Sequence, residues 1–154
     1  MYKHILAAID FAEGHELIVE KAAAMAGTVG ATLSLIHVVR HEFTGSAWTP
    51  SVGGYGLTGL PTSADIKKKA DAAGAALDDL AKRYQPAAAA RHVWIATSVR
   101  SAVREVALKE KADLIVIGSH LRNRLERLLY NSAGYQIVRK APCDVLVVDQ
   151  PDEG

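Results

Sequence analysis

The chain has 154 residues, 49% of them apolar and 23% charged, with a formal net charge of +1. That length suits one domain with its own core, and that balance excludes disorder along the whole chain. A near-neutral sum supplies no field toward DNA or an anionic membrane, so neither is expected as a partner.

The single cysteine, Cys143, allows no internal disulfide and fits a reducing compartment. No apolar run reaches the roughly 18 residues of a membrane span. After Met1-Tyr2-Lys3-His4, the apolar stretch Ile5 to Ile9 stops at Asp10. It lacks the long apolar region and small-residue cleavage site of a signal peptide. We read it as the first buried strand of a cytoplasmic protein. The 26 alanines favour close helix packing.

Five apolar runs follow one another: Ile5–Ile9, Leu33–Val39, Val93–Ala96, Leu114–Ile117 and Val145–Val148. Several are near-continuous rather than alternating, the pattern of strands buried on both faces. Between them the period becomes helical. Ile18, Ala22, Met25 and Val29 mark one helix, and Ile66, Ala70, Ala73, Leu77, Leu80 and Tyr84 a longer one ending before Pro86. Val103, Val106 and Ala107 mark a third. Leu125, Leu129, Ala133 and Ile137 mark a fourth, ahead of Pro142. Alternation of this kind predicts a parallel sheet with right-handed crossovers. A ligand site in such a sheet lies beyond the carboxyl ends of the strands, which directs attention to Asp10, 39–41, 98–100 and 118–123.

The segment from Phe43 to Ser63 is rich in Gly, Ser, Thr and Pro and has no period, so it reads as a flexible surface loop. It contains Gly54-Tyr55-Gly56-Leu57-Thr58-Gly59, a literal G-x-G-x-x-G. The dinucleotide fingerprint needs a strand before it and a helix after it; here the strand ended near Val39 and Pro61 follows. The six histidines form no ligand cluster, and no metal is expected. Cys143 has no neighbouring base and reads as a buried structural thiol. No G-x-S-x-G elbow or S-x-x-K stands around any serine, which leaves a hydrolase or transferase with the least support. Arg100 and Arg104, and Arg122, Arg124 and Arg127, fall near helix starts, where cations oppose the helix dipole. They suit either an anion or a solvated basic rim.

The segment Asp113-Leu114-Ile115-Val116-Ile117-Gly118-Ser119-His120 leads through Leu125-Glu126-Arg127-Leu128-Leu129 to Asn131-Ser132, and Arg139-Lys140-Ala141-Pro142-Cys143-Asp144 precedes the last strand. Together with Tyr2–Asp10 and Ala31–Val39, this resembles the universal stress protein family, closest to its universal stress protein A type. The resemblance covers all but the 43–63 loop. It implies a three-layer α/β/α sandwich with a five-stranded parallel sheet in the order 3-2-1-4-5, Rossmann-like and similar to adenine nucleotide alpha hydrolases, in a single domain over 1–154.

One branch of that family binds ATP through a motif of Gly, two residues, Gly, nine residues, Gly and then Ser or Thr. Laid on this chain, Gly118 and Ser132 match, but Leu121 and Asn131 replace the other two glycines. Such loops bind phosphate with backbone N–H groups, for which glycine gives access and positive φ. Asn131 tolerates the left-handed region; the Leu121 side chain crowds the phosphate path.

The resemblance therefore implies a non-enzymatic, cytoplasmic stress-response protein. It is expected to be a homodimer acting on an unidentified protein partner, with no cofactor and with weak or no ATP binding. The dimer is expected through the apolar edge strand Val145, Leu146, Val147 and Val148. The alternative is an adenine-nucleotide (ATP or AMP) protein using ATP with Mg and hydrolysing it weakly. Its candidate nucleotide or anion site comprises Asp10, Gly118, Ser119, His120, Arg122, Asn131 and Ser132. The family includes phosphoproteins, which implies a modified Ser or Thr without selecting one.

Overall fold

The computed structural model describes residues 1–40, 63–84, 90–120 and 141–151. In chain order these form β1 (His4–Ala8), α1 (His15–Val29), β2 (Thr32–Arg40), α2 (Ser63–Tyr84), β3 (Arg91–Ala96), α3 (Val99–Lys109), β4 (Leu114–Gly118) and β5 (Asp144–Val148). The five strands make one sheet in the order β3-β2-β1-β4-β5. All four pairings are parallel, with Ile5 opposite Leu33 on one side and Leu114 on the other. The loop expected over 43–63 lies outside the described residues, except that Ser63 already belongs to α2. The helix expected over Leu125–Ile137 also lies outside them.

The sheet has two apolar faces, and alternate residues of each strand divide between them. Ile5, Ala7, Leu33, Leu35, Leu114 and Val116 pack with Ile18, Val19 and Ala22 of α1 and Leu77 and Leu80 of α2. Leu6, Ala8, Ile36, Ile115 and Ile117 pack with Val103, Val106 and Ala107 of α3 on the other face. This is the α/β/α sandwich expected. β1 and β4 are buried on both faces, so each reads as an unbroken apolar run.

Boundaries differ where a strand is less buried. β3 starts at Arg91, two residues before the apolar run, because an edge strand accepts the polar side chains of Arg91 and His92. β1 ends at Ala8, although Ile9 still donates its N–H to Ile36 O at 2.8 Å.

Local signals bound the helices. Gly30 takes a left-handed φ of 70° after α1, and its N–H and that of Ala31 both reach Ala26 O. Ser98 caps α3 by accepting the Ser101 N–H at 3.3 Å. At the amino edge of the sheet, the Asp113 carboxylate accepts the backbone N–H groups of Lys3 at 2.8 Å and His4 at 3.0 Å. It thereby ties the start of the chain to the entry of β4.

Two predictions follow from this packing. Leu77 is 0% exposed and Leu108 50% exposed. Leu77→Ala should cost about 2–5 kcal/mol in urea unfolding, against less than about 0.5 kcal/mol for Leu108→Ala.

The second concerns Asp113. Partial burial opposes its ionisation, but the N–H groups of Lys3, His4 and its own residue outweigh this and hold its carboxyl below the ordinary 3.8. A depressed carboxylate adds stability above its unfolded value, and that contribution is lost as pH falls through the lower folded value. The stability gap between wild type and Asp113→Asn should therefore be full at neutral pH and shrink below about pH 4 in acid titrations followed by circular dichroism.

Candidate functional site

The strand order reverses between β1 and β4, whose neighbours run outward in opposite directions. In such sheets the crevice beyond the carboxyl ends of the two strands is where ligands bind. Among the described residues, three segments meet there: 9–15 after β1, 118–120 at the end of β4, and 149–151 after β5.

Asp10 stands at the mouth, half-buried. Its Oδ1 accepts the Ala12 N–H at 3.0 Å, which closes the turn into α1. Its Oδ2 is buried and has no hydrogen-bond partner among the described residues. Beside it, Phe11 has a left-handed φ of 55°, unusual for a bulky residue. Its ring is held 4.7 Å from that of His37 and 5.4 Å from that of His15. Both histidines are oriented by backbone carbonyls: His37 Nδ1 donates to Ile9 O at 2.7 Å and His15 Nδ1 to Ala12 O at 2.8 Å.

At the end of β4, Gly118 and Ser119 are buried and His120 is half-buried. The chain's own later segment meets them. Gln150 is 4% exposed. Its backbone N–H donates to Ser119 Oγ at 2.8 Å, and its carboxamide oxygen accepts the His120 N–H at 3.1 Å. Its carboxamide nitrogen donates to Glu13 O at 3.0 Å. The ring of His120 donates from Nε2 to Pro151 O at 2.8 Å, which places its proton on that nitrogen. Gly118 is required here for space rather than for φ. A Cβ on it would overlap Gln150 Oε1 and the Cδ1 of Ile18.

The structure thus brings together Asp10, Gly118, Ser119 and His120 from the candidate set. Arg122, Asn131 and Ser132, with Leu121, lie outside the described residues. Sequence reading missed Gln150, because a glutamine two residues past an apolar strand belongs to no motif. The partners it joins lie 30 to 137 positions away.

A cleft of about 470 Å³ opens alongside, at the carboxyl end of β2 against α2. Phe11, His37, Ala73 and Ala76 line it, with Arg40 and Lys69 among its polar residues. That volume lies in the range of small-molecule sites.

The apolar edge residues of β5 divide between the faces. Val145 and Val147 pack toward the α3 side, and Leu146 and Val148 toward the α1 side.

The structure also places one nucleophile beside a base, a pairing that sequence reading did not find. His4 Nε2 lies 2.7 Å from Ser34 Oγ. Ser34 is 1% exposed and sits under α3, toward the amino end of the sheet. No substrate reaches a serine so enclosed, and the contact satisfies a polar side chain inside an apolar strand. Among the described residues no group of three or more His, Cys, Asp or Glu is placed to hold a metal ion.

Cys143 is half-buried. Burial first, then the charges of Asp113 and Asp144, push its thiol above the ordinary value. It should alkylate with iodoacetamide at pH 7.4 more slowly than free cysteine, as read by intact mass. Gly118→Ala should lower stability by about 1–3 kcal/mol in urea unfolding, since the new methyl must displace Gln150 or Ile18.

Known proteins share this architecture. A sequence model of the Universal stress protein family matches residues 1–149. Universal stress protein A homolog 1 of Coxiella burnetii is 33% identical over 148 residues, 96% of each chain. Among solved structures, a protein from the universal stress protein family of Burkholderia pseudomallei superposes with a TM-score of 0.64 at 22% identity, covering 96% of both chains. A universal stress protein solved in complex with cAMP superposes at 0.66 with 20% identity, over 97% of this chain and 99% of its own. With the crevice, the sheet order and the sequence match in agreement, this chain belongs to the universal stress protein family.

Proposed function

We propose that the chain is a non-enzymatic stress-response protein of the cytoplasm that acts as a homodimer through protein contacts and holds ATP weakly or not at all. One observation carries the nucleotide part. The His120 amide, the second backbone donor past Gly118, is already bonded to Gln150 inside the molecule. A nucleotide arriving there competes with an occupant already in place. In the sequence, Leu121 and Asn131 stand where the family's ATP motif has glycine, which supports the same reading. No helix among the described residues is long and apolar enough to cross a membrane, which fits the proposed compartment.

The dimer rests on β5. It is an edge strand with apolar residues on both of its faces, and a second copy pairing antiparallel about a two-fold axis removes that edge. Sedimentation velocity at micromolar concentration should give a dimer, and Val147→Asp, checked for folding by circular dichroism, should weaken it. A monomeric wild type, or a folded Val147→Asp that dimerises as before, counts against this interface.

Titration calorimetry with Mg-ATP tests the nucleotide part. Wild type should show dissociation weaker than micromolar, and the pair Leu121→Gly with Asn131→Gly should bind more tightly. Micromolar or tighter binding by wild type defeats the proposal.

The second reading is an adenine-nucleotide protein with weak hydrolysis. The cleft of about 470 Å³ with Arg40 and Lys69 favours it, and a structural neighbour was solved with cAMP. Nucleotide released on heat denaturation of the purified protein would decide for that reading.

A further inference from the structure

A side chain of the chain itself spans the switch-point end of the sheet. Gln150 reaches from the end of β5 to both walls of the crevice there. Its carboxamide nitrogen bonds the wall after β1, at Glu13 O, and its carboxamide oxygen bonds the wall after β4, at the His120 N–H. Ser119 and Gln150 are two of the three buried polar or charged residues among those described, and they bond each other. The node stands at the ligand-binding end of the parallel sheet, beyond the two apolar clusters.

We infer that Gln150 is an internal latch on this crevice: its carboxamide oxygen occupies the place of a ligand's phosphate oxygen, and an anionic ligand binds only after Gln150 swings out. The inference rests on the reading that ATP is held weakly, and it names the cause of that weakness within the chain.

The chemistry permits the exchange. The His120 N–H is donated to a neutral carboxamide oxygen, whereas a charged phosphate oxygen accepts roughly twice as strongly. The hydrogen bonds of Gln150 and Pro151 end on Ser119, His120 and Glu13. Leaving that position exchanges these polar contacts for contacts with water. While the latch is closed, apparent affinity falls by the fraction of molecules that are open. Gly118 makes the closed state possible, because any side chain there would collide with the carboxamide.

The test compares wild type and Gln150→Ala by calorimetry with Mg-ATP and with adenosine. The alanine variant should bind Mg-ATP at least about tenfold more tightly than wild type, the effect of opening a crevice that is about 90% or more closed. Adenosine, which brings no phosphate, should gain nothing. An unchanged Mg-ATP affinity, including none detectable in either protein, overturns the latch. An equal gain for adenosine overturns the phosphate assignment. Tight binding by wild type defeats the weak-affinity reading, while the ratio between the two proteins still decides the latch. Should Gln150→Ala fail to fold, wild type answers by NMR. Saturating Mg-ATP should shift the Gln150 carboxamide signals and the His120 amide together, and bound nucleotide with both signals unmoved overturns the proposal.

Discussion

Burial of the central strands on both faces is the constraint on which this molecule turns. Ile5, Leu6, Ala7, Leu114, Ile115 and Val116 are all at most 2% exposed, and each strand contributes to both apolar layers. Helices must therefore cover both sides, and parallel pairing forces every connection to cross over. Apart from Ser34, which is satisfied by His4, the buried polar residues among those described, Ser119 and Gln150, lie past the strand ends. The amino end is used for tethering, by Asp113 on Lys3 and His4 and by the Tyr2 hydroxyl on Asp144. The carboxyl end holds Asp10, Ser119, His120 and Gln150, at the place where sheets of this kind bind ligands.

That division explains why the fold was readable from the chain and the site only partly. Double burial leaves unbroken apolar runs, and four of the five strands were visible almost to the residue. α2 announced itself through a stripe whose central members, Ala73, Leu77 and Leu80, are buried, while Ile66 and Tyr84 at its ends are half-buried. β3 was blurred because an edge strand tolerates Arg91 and His92. The topology alone put Asp10 and Gly118–His120 at one end of the sheet. Gln150 was invisible because a contact between segments 30 and 137 positions apart leaves no periodic trace. Ser34 was hidden for a related reason. A serine inside an apolar strand looks like an interruption until its partner His4, on the neighbouring strand, is seen.

The two ends of the sheet also differ in how their polar contacts are built. At the amino end, a carboxylate accepts from backbone amides in strand entries, so charge is fixed by rigid elements. At the carboxyl end, a neutral side chain from a terminal segment bridges loops. The first arrangement is hard to rearrange without unpairing a strand. The second is held by single side chains, which can leave without unpairing a strand.

Gly118 carries a consequence for how relatives of this chain are compared. A glycine at the end of the fourth strand counts toward a phosphate motif, yet in this molecule its lack of a Cβ also makes room for the ends of Ile18 and Gln150. Selection for packing alone would preserve it through any loss of nucleotide affinity. A retained glycine at this position is therefore a poor diagnostic when homologues are sorted into binders and non-binders.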